Sequence, residues 1–86
     1  MSERTTILVV DDENGVRQSF SMVLKDDYHV LLAANGKEAI AIFRKNRIDL
    51  ILMDIRLPDT DGISLLRKLK EIEPNTEIIM VTAVKE

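Results

Sequence analysis

Residues 50–62, with the sequence LILMDIRLPDTDG, decide the fold of this chain. An apolar run ends at Asp54 and is followed at once by a loop rich in Pro, Gly and Asp. Continuous apolar runs of this length are typical of strands that are buried on both faces of a parallel sheet. We therefore predict a central strand over residues 48–53, with Asp54 at its carboxyl end and a loop over residues 54–62.

The same pattern recurs on both sides of this stretch. Short apolar, β-branched segments predict three more strands. They lie over residues 5–10, 28–32 and 77–82. Three segments with helical spacing lie between the strands, and Asn14 is predicted to cap the first of them. The second and third span residues 37–46 and 63–73.

Each helical segment carries apolar residues on one face, at the spacing of an amphipathic helix. The predicted inward residues are Val16, Phe20, Val23 and Leu24 in the first helix, Ala39, Ile40 and Phe43 in the second, and Ile63, Leu66, Leu69 and Ile72 in the third. The resulting order is βαβαβαβ. It predicts parallel βαβ units in a doubly wound α/β sheet with helices on both faces.

The composition fits one soluble domain that spans residues 1–86. An apolar content of 45% argues against disorder, and a net charge of −3 provides no basic footprint for nucleic acid. The absence of cysteine excludes disulfides and thiolate metal sites. The amino-terminal segment does not resemble a signal peptide, and the longest apolar run is too short to span a bilayer. We expect a cytoplasmic protein that binds neither membrane nor nucleic acid directly.

Polar residues follow three of the predicted strands where each strand ends. Asp11 and Asp12 come after the first strand and Asp54 comes after the third. Thr82 closes the fourth. The carboxyl ends of parallel strands share one edge, where ligands of such sheets bind. The three carboxylates would therefore converge if the first and third strands are neighbours, and they would repel one another unless a cation lies among them.

Oxygen ligands that are few and open to water suit Mg²⁺, with Mn²⁺ as the alternative, better than they suit zinc. Such a cation could neutralise an incoming phosphoryl group while one carboxylate attacks phosphorus. Asp54 is the best candidate for this nucleophile because it follows the most central strand. Thr82 could donate a hydrogen bond to a phosphoryl oxygen. The residues alone thus indicate a metal-dependent phosphoryl site.

Three segments together resemble the receiver domains of bacterial two-component response regulators. They are ILVVDDE over residues 7–13, LILMDIRLPDTDG over residues 50–62 and IIMVTA over residues 78–83. The resemblance extends over the whole chain in order and spacing, which makes it specific. It implies a flavodoxin-like, CheY-like sheet with the strand order 2-1-3-4.

The resemblance also implies a role for each matching residue. Asp54 matches the phosphorylated aspartate, which also touches the metal. Asp11 and Asp12 match the acidic pair that holds the divalent cation, Asp12 by direct contact and Asp11 largely through water. The backbone carbonyl of Arg56 matches a further metal ligand, and Thr82 matches the hydroxyl residue that moves toward the phosphoryl group. The implied phosphodonor is a phosphohistidine on a sensor histidine kinase or a phosphotransfer protein. At most self-phosphorylation and autodephosphorylation at Asp54 are expected, and no dedicated enzyme activity.

The family pattern contains five βα units, and the fifth strand and the last two helices have no counterpart in the 86 residues. The phosphoryl-binding lysine that follows the fifth strand is missing with them, so we expect impaired phosphorylation. The fourth strand would also be an exposed edge, which invites pairing with another chain. Two alternatives stay open: the chain is a fragment of a longer regulator, or it self-associates through strand four or by exchange of elements.

Other interpretations compete with the receiver. Asp11 and Asp12, taken in isolation, could form only a turn and a helix cap. Asp59 and Asp61 are expected to be solvated loop carboxylates. A phosphohydrolase that forms an aspartyl-phosphate usually has a second acid two residues after the nucleophile, where this chain has Arg56. The last alternative is an assembly-only receiver fragment that dimerises or swaps domains without phosphotransfer.

Overall fold

The computed structural model describes residues 4–81, which form four strands and three helices in alternation. The strands are β1 (Thr6–Val10), β2 (His29–Ala33), β3 (Leu50–Asp54) and β4 (Glu77–Val81). The helices are α1 (Asn14–Leu24), α2 (Gly36–Lys45) and α3 (Gly62–Ile72). The predicted βαβαβαβ order is confirmed. None of these three helices is long and apolar enough to cross a lipid bilayer.

The four strands form one parallel sheet in the order β2-β1-β3-β4, which confirms the order that the resemblance implied. β1 therefore lies between β2 and β3. Val10 pairs with Ala33 on one side and with Met53 on the other, so these strands end level with one another. β3 pairs with β4 as far as Asp54, whose partner is Val81. The carboxyl ends of all four strands thus lie along one edge.

The buried core lies on the face of the sheet that α2 and α3 cover. Leu8, Ile51 and Met53 are completely buried there, with 0% of each residue exposed. Phe43 of α2 and Leu69 of α3 belong to the same cluster. Burial of one side chain of this size contributes roughly 1.5–3 kcal/mol. This layer therefore fixes β3, and with it the position of Asp54 at the end of the strand.

On the opposite face of the sheet, α1 packs mainly against β1 and β2. An apolar groove lined by Phe20, Val23 and Leu52 remains open beside the helix. Val23 was predicted to face inward, but it is 75% exposed. Ile79 pairs with Leu52 and so lies on the same face, where it is 51% exposed. Among the described residues, this side of β3 and β4 has no helix over it.

Two further predictions about the helices are wrong. Glu13, and not Asn14, occupies the N-cap position of α1, and Asn14 is the first helical residue. In α3 Leu69 is buried and Leu66 packs against the core, as predicted. Leu65 is buried as well, whereas Ile63 and Ile72 are 49% and 40% exposed. The apolar residues of α3 are compatible with two overlapping stripes. Packing against α2 and the sheet selects one of them.

Candidate metal centre

Three carboxylates meet at the carboxyl edge of the sheet. Asp11 and Asp12 directly follow β1, and Asp54 is the last residue of β3 rather than the first of the loop. Because β1 and β3 are adjacent, one carboxylate oxygen from each residue lies within 4.8 Å of the other two. The structure thus brings together the acidic residues that the sequence placed at the strand ends. We call these three residues the acidic cluster.

Backbone contacts fix the turn between β1 and α1. The N–H group of Asp11 donates to the carbonyl of Ala33 at 3.1 Å, which extends the contact between β1 and β2. The carboxylate of Asp11 accepts from the N–H group of Glu13 at 2.9 Å. The guanidinium of Arg17 donates to the backbone carbonyl of Asp11 at 2.7 Å. Asp11 is therefore held in place, whereas Asp12 is exposed and accessible to a ligand from solvent.

Burial and mutual repulsion act on the charge of the acidic cluster. Partial burial raises the pKa of Asp11 above the usual 3.8. The negative charges of Asp54 and Asp12 raise this pKa further, whereas the backbone hydrogen bond that its carboxylate accepts from Glu13 lowers it. Within residues 4–81, the one ion pair joins Arg47 and Asp49, outside the cluster. No described basic side chain forms an ion pair with the three carboxylates. A cation bound among them would relieve their repulsion.

Backbone contacts join the two ends of the β3–α3 loop (residues 55–61), which we call the acceptor loop. The N–H group of Arg56 donates to the carboxylate of Asp54 at 3.3 Å. Arg56 also forms an isolated antiparallel bridge with Asp61, and the N–H group of Gly62 donates to the carbonyl of Ile55 at 2.6 Å. These contacts place the backbone of Arg56 beside the acidic cluster.

Gly62 permits a close approach between the start of α3 and the end of β3. A Cβ atom at this position would lie 2.9 Å from the carbonyl oxygen of Asp54 and 2.9 Å from the Cα atom of Ile55. It would also lie 2.6 Å from the terminal methyl group of Met80. The Met80 side chain could rotate away, but the two backbone atoms could not. A side chain at residue 62 would therefore displace the backbone next to Asp54.

Asp59 and Asp61 are exposed and lie outside the acidic cluster, yet each caps a helix. Asp61 is the N-cap of α3, and its carboxylate accepts from the N–H group of Ser64 at 2.8 Å and from its hydroxyl group at 2.9 Å. Asp59 accepts from the N–H groups of Gly36 and Lys37 at 2.8 and 2.9 Å. These hydrogen bonds lower the pKa of both carboxyl groups.

Sequence reasoning missed both caps. The cap at Asp61 has a local signal, since a carboxylate three residues before Ser64 is a common helix start. The partners of Asp59 are the N–H groups of Gly36 and Lys37, which lie 23 and 22 residues earlier in the chain. No local sequence pattern predicts contacts at that separation.

The sheet, the acidic cluster and the loop that follows it match a known family. A family model described as the response regulator receiver domain matches residues 7–86. The chain belongs to the response regulator receiver domain family. Four parallel strands in the order 2-1-3-4, with three helices, give this receiver domain the flavodoxin-like fold of CheY-like proteins.

Relatives of this receiver domain are similar in sequence and in structure. It is 42% identical over 81 residues to sporulation initiation phosphotransferase F of Bacillus subtilis (strain 168), which covers 93% of this chain and 65% of the relative. A CheY-like receiver domain protein from Methanospirillum hungatei JF-1 has a TM-score of 0.92 at 34% identity, over 98% of this chain and 68% of that chain. Response regulator TrrA from Thermotoga maritima, solved in complex with Mg²⁺ and BeF, has a TM-score of 0.87 at 32% identity, over 94% and 71% of the two chains.

The receiver domain chain spans 65% of the length of the Bacillus relative. Thr82, the predicted switch hydroxyl, lies outside the described residues. The described part of β4 ends at Val81, the partner of Asp54 in the sheet.

Proposed function

We propose that this receiver domain accepts a phosphoryl group on Asp54 with the help of a divalent cation. The donor is a phosphohistidine on a sensor histidine kinase or on a phosphotransfer protein. The observation that carries the proposal is the approach of three carboxylates within 4.8 Å of one another at the carboxyl edge of the sheet. Ligands of doubly wound sheets bind at this edge.

The donor set suits Mg²⁺, with Mn²⁺ as the alternative. Asp12 and Asp54 would offer carboxylate oxygens as direct ligands, and Asp11 would act largely through water. The backbone carbonyl of Arg56 would add a further oxygen. Mg²⁺ prefers few protein carboxylates and keeps several waters, which an exposed cluster allows. When bound, the cation would neutralise charge on the phosphoryl oxygens.

The chemistry proposed for Asp54 is an in-line displacement at phosphorus. A carboxylate oxygen of Asp54 forms the new O–P bond as the N–P bond of the phosphohistidine breaks. The electron pair of that bond returns to the imidazole nitrogen of the donor. Hydrolysis of the acyl phosphate would later restore the carboxylate. TrrA was solved with Mg²⁺ and BeF bound, and its similarity to this chain supports a phosphoryl-type site here.

A switch would follow from contacts that the phosphoryl group makes after transfer. Thr82 is proposed as the hydroxyl that reaches a phosphoryl oxygen, because the chain continues to it directly from Val81, the neighbour of Asp54 in β4. The resulting change in the β4 end would be passed on to an output.

Asp12→Asn is expected to weaken Mg²⁺ binding strongly. The exposed carboxylate would lie in direct contact with the cation, and a unit charge at about 4 Å contributes on the order of 1–4 kcal/mol in a solvated or surface site. The dissociation constant for Mg²⁺ should rise by roughly tenfold or more. A titration of amide NMR signals at Asp11, Asp54 and Arg56 measures it.

Asp26→Asn is the matched control, because it removes the same charge just after the far end of α1. Its Mg²⁺ affinity should equal that of the wild type. Wild-type protein whose amide signals do not respond to Mg²⁺, or equal affinities in Asp12→Asn and wild type, would contradict the proposed cation site.

A second candidate role is self-association, and the open apolar face beside α1 favours it. Ile79 and Val23 are 51% and 75% exposed along this face, and β4 is an edge strand of the described sheet. We expect the 86-residue chain to form dimers as its concentration rises, as measured by size-exclusion chromatography with light scattering. Ile79→Lys should shift it to monomer, because burial of a charge in the interface is costly.

Ile63→Lys serves as the control for this second role. Ile63 is 49% exposed but lies on α3, away from the groove. Its dimerisation should match that of the wild type. A wild-type chain that remains monomeric at every concentration would exclude self-association as a function of this face.

A further inference from the structure

Asp59 joins two parts of the fold that lie far apart in sequence. One of its carboxylate oxygens accepts a hydrogen bond from the N–H group of Gly36 at 2.8 Å, and the other accepts from the N–H group of Lys37 at 2.9 Å. These are the first two N–H groups of α2. Asp59 itself lies in the acceptor loop, five residues after Asp54. A single side chain therefore connects the loop to the start of α2.

The start of α2 needs an acceptor from outside the helix. The first N–H groups of a helix have no partner within it, and the aligned peptide dipoles give that end a partial positive charge. The Asn35 side chain accepts from the N–H group of Glu38 at 2.8 Å, which leaves Gly36 and Lys37 for another acceptor. The carboxylate of Asp59 supplies two charge-assisted hydrogen bonds at this place.

Packing adds to these hydrogen bonds. Gly36 is buried, and a Cβ atom at this position would lie 2.6 Å from the methyl carbon of Thr60. Thr60 follows Asp59, so the acceptor loop lies directly against the first turn of α2. The bridge between Arg56 and Asp61 joins the two ends of this loop. Displacement of Asp59 would therefore also disturb the segment that contains Arg56.

We propose that Asp59 is a positioning residue for the acidic cluster. Its carboxylate fixes the acceptor loop against α2 and thereby holds the backbone of Arg56 next to Asp54. The inference rests on the proposed function, because it concerns the cation site of the acidic cluster. It also couples α2 to that site, since a movement of the acceptor loop changes the two hydrogen bonds at the start of the helix.

Asp59→Asn and Asp59→Ala test this role, with Glu38→Gln as a matched control. Asn keeps the size of the side chain but removes its charge and one of its two acceptor atoms. Glu38 also supports the start of α2, where its carboxylate accepts from the N–H group of Ala34 at 2.8 Å. It belongs to α2 itself, so its replacement removes one charge from the same helix end and leaves the link to the acceptor loop in place.

Hydrogen exchange gives a measurement that does not depend on a metal. Both Asp59 variants should show faster exchange at the amides of Gly36, Lys37 and Gly62, because the helix start and the base of the loop loosen together. Glu38→Gln should raise exchange at Ala34 and leave Gly62 as in the wild type. Circular dichroism establishes that each variant is folded, and Asp59→Asn provides the milder change if Asp59→Ala does not fold.

The Mg²⁺ titration gives the functional measurement. In the Asp59 variants the dissociation constant should rise on the order of threefold, below the 10- to 100-fold typical of a group that bonds a metal ligand directly. Mg²⁺ should shift the Gly36 and Lys37 amide signals in the wild type and in Glu38→Gln, but not in Asp59→Ala.

Unchanged Gly62 exchange and unchanged Mg²⁺ affinity in a folded Asp59 variant would overturn the positioning role. An equal loss of affinity in Glu38→Gln would overturn it as well, because the stability of α2 alone would then explain the effect. Absence of Mg²⁺ binding by the wild type would instead overturn the proposed function. In that case the exchange rate at Gly62 still decides whether Asp59 holds the acceptor loop.

Discussion

Asp54→Asn is expected to abolish phosphoryl acceptance. Wild-type chain incubated with Mg²⁺ and acetyl phosphate should slowly gain the mass of one phosphoryl group, in keeping with the impaired phosphorylation expected from the sequence, and the variant should gain none. An Asn amide is uncharged and a poor nucleophile, although it has nearly the size and shape of the carboxylate. The fold should persist because the buried core that holds β3 is unchanged. Intact-protein mass spectrometry measures the difference before the acyl phosphate hydrolyses.

Asp26→Asn is again the control and should gain the phosphoryl mass as the wild type does. Hydroxylamine should remove the added mass from the wild type, as expected for an acyl phosphate. A mass gain that persists in Asp54→Asn, or a modification that peptide mapping assigns to Asp11 or Asp12, would contradict the role of Asp54.

Gly62→Ala is expected to destabilise the fold and to displace the backbone next to Asp54. The new methyl group would meet the carbonyl oxygen of Asp54 and the Cα atom of Ile55, each 2.9 Å from the Cβ position. Overpacking against backbone that must shift costs roughly 1–3 kcal/mol. Urea denaturation should show this loss of stability, and the amide signal of Arg56 should move because its contact with Asp54 is displaced.

Gly15→Ala is the matched control because it makes the same chemical change in α1. No atom lies within 4 Å of a Cβ atom at Gly15. The free energy of unfolding should therefore stay the same or rise by up to about 1 kcal/mol, because Ala is the better helix former. If Gly62→Ala were as stable as Gly15→Ala, close backbone approach would not be the reason for Gly62.

The strands could be predicted because each of them is short and apolar. Residues such as Leu8 and Ile51 are completely buried on the face that α2 and α3 cover, and such a face leaves no position for polar residues. Within residues 4–81, their bounds were predicted to within one or two residues. Asp54, for example, belongs to β3 because it still pairs with Val81.

The faces of the helices were less predictable. In α3 the spacing of apolar residues allowed Ile63 or Leu65 to face the core, and only contact with α2 and the sheet selects Leu65. In α1 the prediction placed Val23 inward, but the helix covers β1 and β2 and leaves Val23 exposed. The spacing of apolar residues identifies the apolar face of one helix. It does not show which strand or helix packs against that face.

The sequence by itself determined the α/β class, the positions of the four strands and the placement of Asp11, Asp12 and Asp54 at strand ends. These features depend on burial and on the direction of parallel strands, and both leave local patterns in the chain. Only the tertiary structure decided which side chain caps α2 from 22 residues away and why residue 62 must be Gly. Contacts of that kind depend on distances between segments that fold together, and no local pattern of residue types records those distances.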